Sequence, residues 1–176
     1  MTNTFKALVV DKNDDFTVEV KNLTLADLPD GEVLIKVAYS SINYKDSLAS
    51  IPNGNIVHTY PFVPGIDLAG VVGSSSDKRF KDGDEVIATS YDIGVSHFGG
   101  YSEYARIPAK WIVPLLNSLT LKEAMIIGTA GFTAACLSNA SKKMISLRKM
   151  GKCLSLGQPV VLVVLAFLFL QRLAIK

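Results

Sequence analysis

The sequence predicts a mainly β fold with short helices, an α+β chain whose first part is a small barrel or sandwich. Three observations predict it. Short apolar or alternating segments recur at close spacing from Phe5 to Pro114, and Gly, Pro and Asp turns separate them. Past Thr120 the apolar period changes from two residues to helical spacing. At 176 residues the chain has room for one ordinary domain, or one domain and a fragment of another, and its apolar content suffices for a packed core.

The elements follow in order. Phe5 to Val10 is a short apolar strand, Asp11 to Asp15 a turn, and Phe16-Thr-Val-Glu-Val-Lys an alternating, half-buried antiparallel strand. Leu28-Pro-Asp-Gly-Glu reads as a turn, with Asp30-Gly31 expected to take up the positive φ of a tight reversal. Val33 to Ser40 is a buried strand, and Asn43 to Ser50 a short helix with a Pro-Asn-Gly-Asn loop behind it. Tyr60-Pro-Phe-Val-Pro-Gly leads, as rigid extended chain, into the strand Ile66 to Val72, where Gly70 marks close packing or a bulge. Phe80 to Ala88 repeats the turn-then-strand pattern, Gly99 to Ile107 alternates again, and Trp111-Ile-Val-Pro closes the series. Leu121, Ala124, Met125 and Gly128 then fall at helical spacing, with Thr120 available as N-cap.

Composition excludes several functions. A net charge of +2, from 18 basic and 16 acidic residues, gives no electrostatic case for nucleic acid. Two cysteines, Cys136 and Cys153, make neither a disulfide framework nor a Cys-rich zinc site, so a reducing cytoplasm is the expected setting. The start of the chain lacks the apolar run and cleavage site of a signal peptide, and no export is expected.

Four strings in fixed order carry more information: Ser41-Ile-Asn-Tyr-Lys-Asp-Ser-Leu-Ala, Pro64-Gly-Ile-Asp-Leu-Ala-Gly-Val-Val, Gly100-Tyr-Ser-Glu-Tyr-Ala and Gly128-Thr-Ala-Gly-Phe-Thr-Ala-Ala. Together they resemble the zinc-free branch of the medium-chain dehydrogenase/reductase superfamily, of quinone oxidoreductase and acryloyl-CoA reductase type. The resemblance implies a GroES-like, partly open β-barrel over 1–125, an interdomain helix start over 126–135, and a Rossmann domain beyond. It also implies NADPH as cofactor, a quinone, enone or acryloyl-CoA as small-molecule substrate, and a family-like homodimer. One departure, Leu116 where relatives often carry proline, loosens a turn without touching these assignments.

The same resemblance places Asn43 and Tyr44 beside the nicotinamide. Tyr44 would donate a proton or hydrogen bond to the substrate carbonyl as negative charge develops there. Each residue also has a structural alternative: Asn43 as helix cap, and Tyr44 packed with its hydroxyl satisfied. Lys45 either faces a cofactor phosphate or is solvated. Thr129 is the cofactor-facing candidate of the interdomain segment. Asp46 and Asp67 are expected to hold backbone groups and a neighbouring basic side chain. Where zinc-dependent relatives place Cys, His and Cys, the aligned positions carry Asn43, Ile66 and Thr129, which are not normal zinc ligands. His58 and His97 stand isolated, so no metal is expected.

Beyond Ala135 the family pattern stops. No strand and glycine-rich turn follows of the kind that admits a pyrophosphate to a helix N-terminus. Instead a basic stretch from Ser141 to Lys152 precedes the apolar run Val160 to Leu170. A one-base shift of reading frame, with free choice of wobble bases, turns residues 158–176 into a sequence beginning A-T-G-G-V-G, a Rossmann glycine turn, because valine codons begin GT. The expectation is an aberrant tail over 136–176 and a chain with little or no reductase activity on its own. Two other functions remain open on these residues. The apolar run, shorter than the roughly 20 residues a spanning helix needs, could attach the chain to a membrane surface. Residues 1–125 could also serve as a stand-alone binding module.

Overall fold

The computed structural model describes residues 4–12 and 15–147, with side chains through Cys136. The basic stretch beyond Leu147 and the apolar run lie outside the described residues. The chain divides into two compact units after Thr129, four residues beyond the boundary expected from the sequence. The first carries both sheets; the described part of the second is helical, over residues 130–147.

Two antiparallel sheets build the first unit, and they do not close on one another. β1 (Thr4–Lys12) pairs with β2 (Phe16–Thr24) across a register from Thr4–Thr24 to Lys12–Phe16. The second sheet has the order β6-β3-β4-β5-β7, from β3 (Val33–Ser40), β4 (Asp67–Ser75), β5 (Glu85–Thr89), β6 (Tyr104–Ile107) and β7 (Ile112–Pro114). Alternation does in these strands what period two requires. In β1, Phe5, Ala7 and Val9 are buried on one face. Val10 is buried as well: while β1 still pairs with β2 at Val18, its other edge exchanges backbone hydrogen bonds with Phe62, and the side chain joins Ala49, Val57 and Phe62. β4 is central in its sheet and buried on both faces through Asp67, Leu68, Ala69 and Gly70, which explains its continuous apolar run. Gly70 lies beside a register shift in β3, and a Cβ there would come within 2.2 Å of the Lys36 carbonyl oxygen.

The main core gathers Val33, Ile35, Leu68, Val72, Val86 and Ile107 between the strands of the larger sheet. Burying each of these side chains contributes about 1.5–3 kcal/mol. A second cluster holds β1 against Leu28 and Val63, and a third seats Ala49 of the short helix against Val10, Val57 and Phe62. That helix is α1 (Tyr44–Ala49).

One turn differs from expectation. Gly31 does not take a positive φ; its requirement is space, since a Cβ would lie 2.9 Å from the carbonyl carbon of Ile107. The helical expectation at residue 121 is met. In α2 (Leu121–Leu147) the Thr120 hydroxyl accepts from Glu123 N at 3.2 Å, and the Glu123 carboxylate accepts from Thr120 N at 2.9 Å, a reciprocal cap. Ala124 and Met125 pack on Ala69. The run then breaks at Gly128, whose φ of 50° and ψ of −163° interrupt the helix before Thr129.

Candidate functional site

Two of the residues singled out from the sequence, Asn43 and Thr129, meet at the first residue of β4. Asp67 is fully buried, and its carboxylate accepts four hydrogen bonds. They come from Ser41 Oγ, from Asn43 Nδ2 at 2.9 Å, from Thr129 N at 2.9 Å and from Thr129 Oγ1. Three separate segments, around residues 41–43, 67 and 129, thereby become one site. The Thr129 hydroxyl has one hydrogen, which goes to Asp67, so the neighbouring Ser90 Oγ, 2.9 Å away, donates to Thr129.

Local geometry supplies each donor. The break at Gly128 turns both the amide and the hydroxyl of Thr129 toward the carboxylate, and Gly128 fits so tightly that a Cβ would meet Asp67 Oδ2 at 2.8 Å. Ser90 and Tyr91 follow β5 with φ of 63° and 48°, two successive non-glycine residues in the left-handed region. The turn is held by Ser90 N donating to the Ile66 carbonyl, by the Ser90–Thr129 bond, and by Tyr91 stacked on Trp111 at 5.5 Å.

Asn43 occupies the cap position that its sequence offered, and its side chain is engaged as well. It stands at the N-cap of α1 in extended conformation, with the Asp46 carboxylate accepting from its backbone N–H at 2.7 Å, while its side-chain amide reaches Asp67. Asp46 is buried too. It accepts from Ile66 N at 2.9 Å and from the Tyr101 phenol at 3.2 Å. Burial, and then the Asp46 carboxylate, push the Tyr101 phenol above its ordinary pKa.

Two expectations need correction. Tyr44 is not packed; it is 80% exposed at the first position of α1, so its phenol faces solvent. Asp46 and Asp67 do hold backbone groups, but no basic side chain pairs with either among the described residues, where the two ion pairs are Lys21–Asp11 and Arg79–Asp77. Neutral amides and hydroxyls do the work instead. Lys45 is exposed and makes no ion pair among the described residues, which is compatible with either of its two expected roles. Sequence reasoning missed Ser41 as a ligand of Asp67 and missed Ser90 entirely; a serine beside a strand end carries no signal of its own.

Exposed apolar and aromatic residues adjoin the members of this network along the chain. Ile42 and Tyr44 flank Asn43, Tyr91 follows Ser90, and Ile126 and Ile127 precede Gly128, all of them exposed. His97 is drawn elsewhere, to the Phe98 and Asp30 carbonyls and the edge of Trp111. Among the described residues no three His, Cys, Asp or Glu side chains are grouped to hold a metal ion. A separate cleft of about 490 Å³, lined by Glu32, Asp77, Arg79, Lys110 and Trp111, contains no residue of the Asp67 network.

This architecture has known relatives. Residues 29–117 match the alcohol dehydrogenase GroES-like domain. The chain belongs to that family. Beyond the GroES-like domain itself, the chain is 61% identical over 136 residues to YhfP of Bacillus subtilis, whose name assigns it provisionally to the quinone oxidoreductases. That match covers 77% of this chain and 41% of YhfP. It is 52% identical over 133 residues to the acrylyl-CoA reductase AcuI of Ruegeria pomeroyi, covering 74% of this chain and 40% of AcuI. Among solved structures, that of B. subtilis YhfP with NAD bound superposes with a TM-score of 0.74 at 55% identity, over 86% of this chain and 45% of that one. That of Escherichia coli YhdH with bound NADPH gives 0.75 at 42% identity, over 78% and 43%. The chain thus spans about two fifths of the length of the curated relatives it matches. The matched residues span the whole five-stranded sheet, including the strand that presents Asp67, and begin after the β1–β2 pair.

Proposed function

We propose that residues 1–129 are the substrate-side half of a zinc-free reductase that passes hydride from NADPH to a quinone, an enone or the double bond of acryloyl-CoA. The observation that carries this reading is the convergence of Asn43 and Thr129 on one buried carboxylate. A pair of polar groups fixed in direction, adjoined along the chain by exposed apolar and aromatic residues that include Tyr44, suits a flat nicotinamide edge and an adjacent carbonyl. The relatives add support: one solved structure holds NAD and another NADPH.

The described residues fit the nicotinamide end of such a cofactor. When bound, the nicotinamide supplies the hydride. Within this chain Asp67 orients, Asn43 and Thr129 bind, and Tyr44 donates a hydrogen bond to the carbonyl that gains charge. Zinc does not suit the same positions. Asn43 Nδ2 and the Thr129 hydroxyl are spent as donors to Asp67, and Ile66 is buried with its backbone N–H on Asp46, so the three aligned positions offer neither thiolate nor imidazole.

The 176-residue chain on its own is inactive in this reading. Its sequence contains no glycine turn for the pyrophosphate, and a shifted reading frame past Ala135 accounts for the tail; the gene across the codons for residues 130–176 tests that directly. The cytoplasm is its setting, on the strength of its sparse cysteines. The activity test is reconstitution. Mixed with NADPH and benzoquinone or acryloyl-CoA, the chain should oxidise no cofactor above the blank. Adding the cofactor-binding remainder of B. subtilis YhfP as a separate polypeptide should restore oxidation. Turnover by the chain alone would overturn its inactivity. Failure of the mixture with every acceptor, while the matching YhfP halves recombine, would overturn the reductase reading.

A further inference from the structure

The turn behind α1 holds a reactive pair that the Asp67 network does not use. Asn53 is followed by Gly54. We propose that Asn53 is a self-modifying site, converting spontaneously to aspartyl and iso-aspartyl forms while the chain is folded. The Gly54 backbone nitrogen attacks the Asn53 side-chain carbonyl carbon, and the bond to Nδ2 breaks. Ammonia leaves, carrying the proton that Gly54 N gives up, and a five-membered imide remains. Water opens that ring at either carbonyl, so that the net change is amide plus water to acid plus ammonia, with nothing oxidised or reduced.

Four features of the folded chain favour this position. Asn53 is exposed, and its side chain makes no hydrogen bond among the described residues. Gly54 has no Cβ to hinder the approach to its nitrogen. The Gly54 N–H is held only by a long bond of 3.3 Å to the Ile51 carbonyl. The segment belongs to no sheet and ends in Asn55 with φ of 53°, so ladder pairing does not stiffen it. The other asparagines whose side chains are described are worse placed. Asn22 is paired with Lys6 in β2, Asn43 is engaged with Asp67, and Asn55 precedes the β-branched Ile56. Asn117 is the nearest rival, exposed and followed by Ser118, whose side chain hinders closure.

The consequence reaches the site. Gly54 is pressed against the last turn of α1, where a Cβ would lie 1.7 Å from the Leu48 carbonyl oxygen. An iso-aspartyl link routes the main chain through the former side chain and adds a methylene to it, in a turn without space to receive one. An aspartyl link adds only charge. Ring opening to the iso-aspartyl form therefore displaces the end of α1, a six-residue helix whose Asp46 anchors Asn43 N and Ile66 N.

The test is to age the full chain at mildly alkaline pH and map its peptides by mass, with isoaspartyl methyltransferase labelling to separate the two products. The amide-to-acid shift is expected first in the Asn53 peptide, and its loss is expected in Asn53→Gln. Conversion of Asn117 before Asn53, or conversion of Asn53 only in urea, would overturn the site. In hydrogen exchange, the Ile66 and Asn43 amides should lose protection in the iso-aspartyl fraction and keep it in Asn53→Asp. Equal protection in both would overturn the link to α1.

Discussion

Replacing Gly128 by alanine should damage the first unit far more than a surface change does. Two costs add at this position. The backbone sits at φ 50° and ψ −163°, a conformation that costs a residue with a Cβ on the order of 1–3 kcal/mol. The new Cβ would also lie 2.8 Å from Asp67 Oδ2 and 2.9 Å from Ser41 Oγ, closer than van der Waals contact allows. Relief requires Asp67 or Thr129 to move, and losing one hydrogen bond to the carboxylate costs about 1.5–3 kcal/mol. The sum is about 2.5–6 kcal/mol, a large part of the stability of an ordinary domain. Gly83→Ala is the internal control. Gly83 has φ of 92°, and an added methyl there would meet nothing within 4 Å, so it carries the backbone cost alone. Urea unfolding followed through Trp111, the single tryptophan, reads both variants. Equal shifts of the midpoint in the two variants would refute the idea that Gly128 is required by the Asp67 contact.

Two further outcomes follow from the ionisable groups. The Tyr101 phenol is raised in the folded state, so the stability it contributes is present below the unfolded value of 10.0 and is lost as pH rises through the higher folded value. Wild-type unfolding midpoints should fall as pH rises past 10.0, and Tyr101→Phe should flatten that fall while costing about 1–2 kcal/mol at neutral pH, from the lost bonds to Asp46 and the Ser41 carbonyl. At the acid end, the Arg79 side chain and backbone hold Asp77 down at about 2, against an ordinary 3.8. Its contribution is present above pH 3.8 and disappears as pH falls toward 2. Because the pair is exposed, salt at about 1 M should shrink the pH dependence between Asp77 and Asp77→Asn chains, measured as melting temperature.

Legibility divided along physical lines. Strands were readable because period two and turn residues are local signals: Phe5, Ala7 and Val9 alternate in the sequence and on the buried face of β1 alike. The reciprocal cap at Thr120 and Glu123 was half readable, since the threonine announces itself and the helix period follows it. Asn43, Tyr44 and Thr129 came from resemblance, and the structure brings Asn43 and Thr129 to one carboxylate while leaving Tyr44 in solvent. What could not be read was the partner of Asp67. A buried aspartate suggests a cation, yet hydroxyls and amides from residues 41, 43 and 129 satisfy it, and such donors are too common in any sequence to stand out. The left-handed pair Ser90–Tyr91 was equally silent, because neither residue type favours that backbone.

The choice of neutral donors has a consequence for how the site holds its shape. A salt bridge would fix Asp67 through one long flexible side chain, whereas here three of its four hydrogen bonds begin on the short side chains of Ser41, Asn43 and Thr129 and the fourth on a backbone amide. Little rotamer entropy is lost per bond, and each donor's position is set by its own backbone. β4 in turn fixes Asp67 at the start of a central strand whose next residues, Leu68 and Ala69, are fully buried. The polar floor is therefore as rigid as the core beneath it. The exposed residues Ile42, Tyr44 and Ile126 are attached to that floor by adjacent residues of the chain, and Tyr91 also by its stacking on Trp111. Order passes outward from β4 through Asp67 to the residues that would meet a ligand, so a change at the carboxylate's neighbours should disturb those exposed residues before it disturbs the sheets.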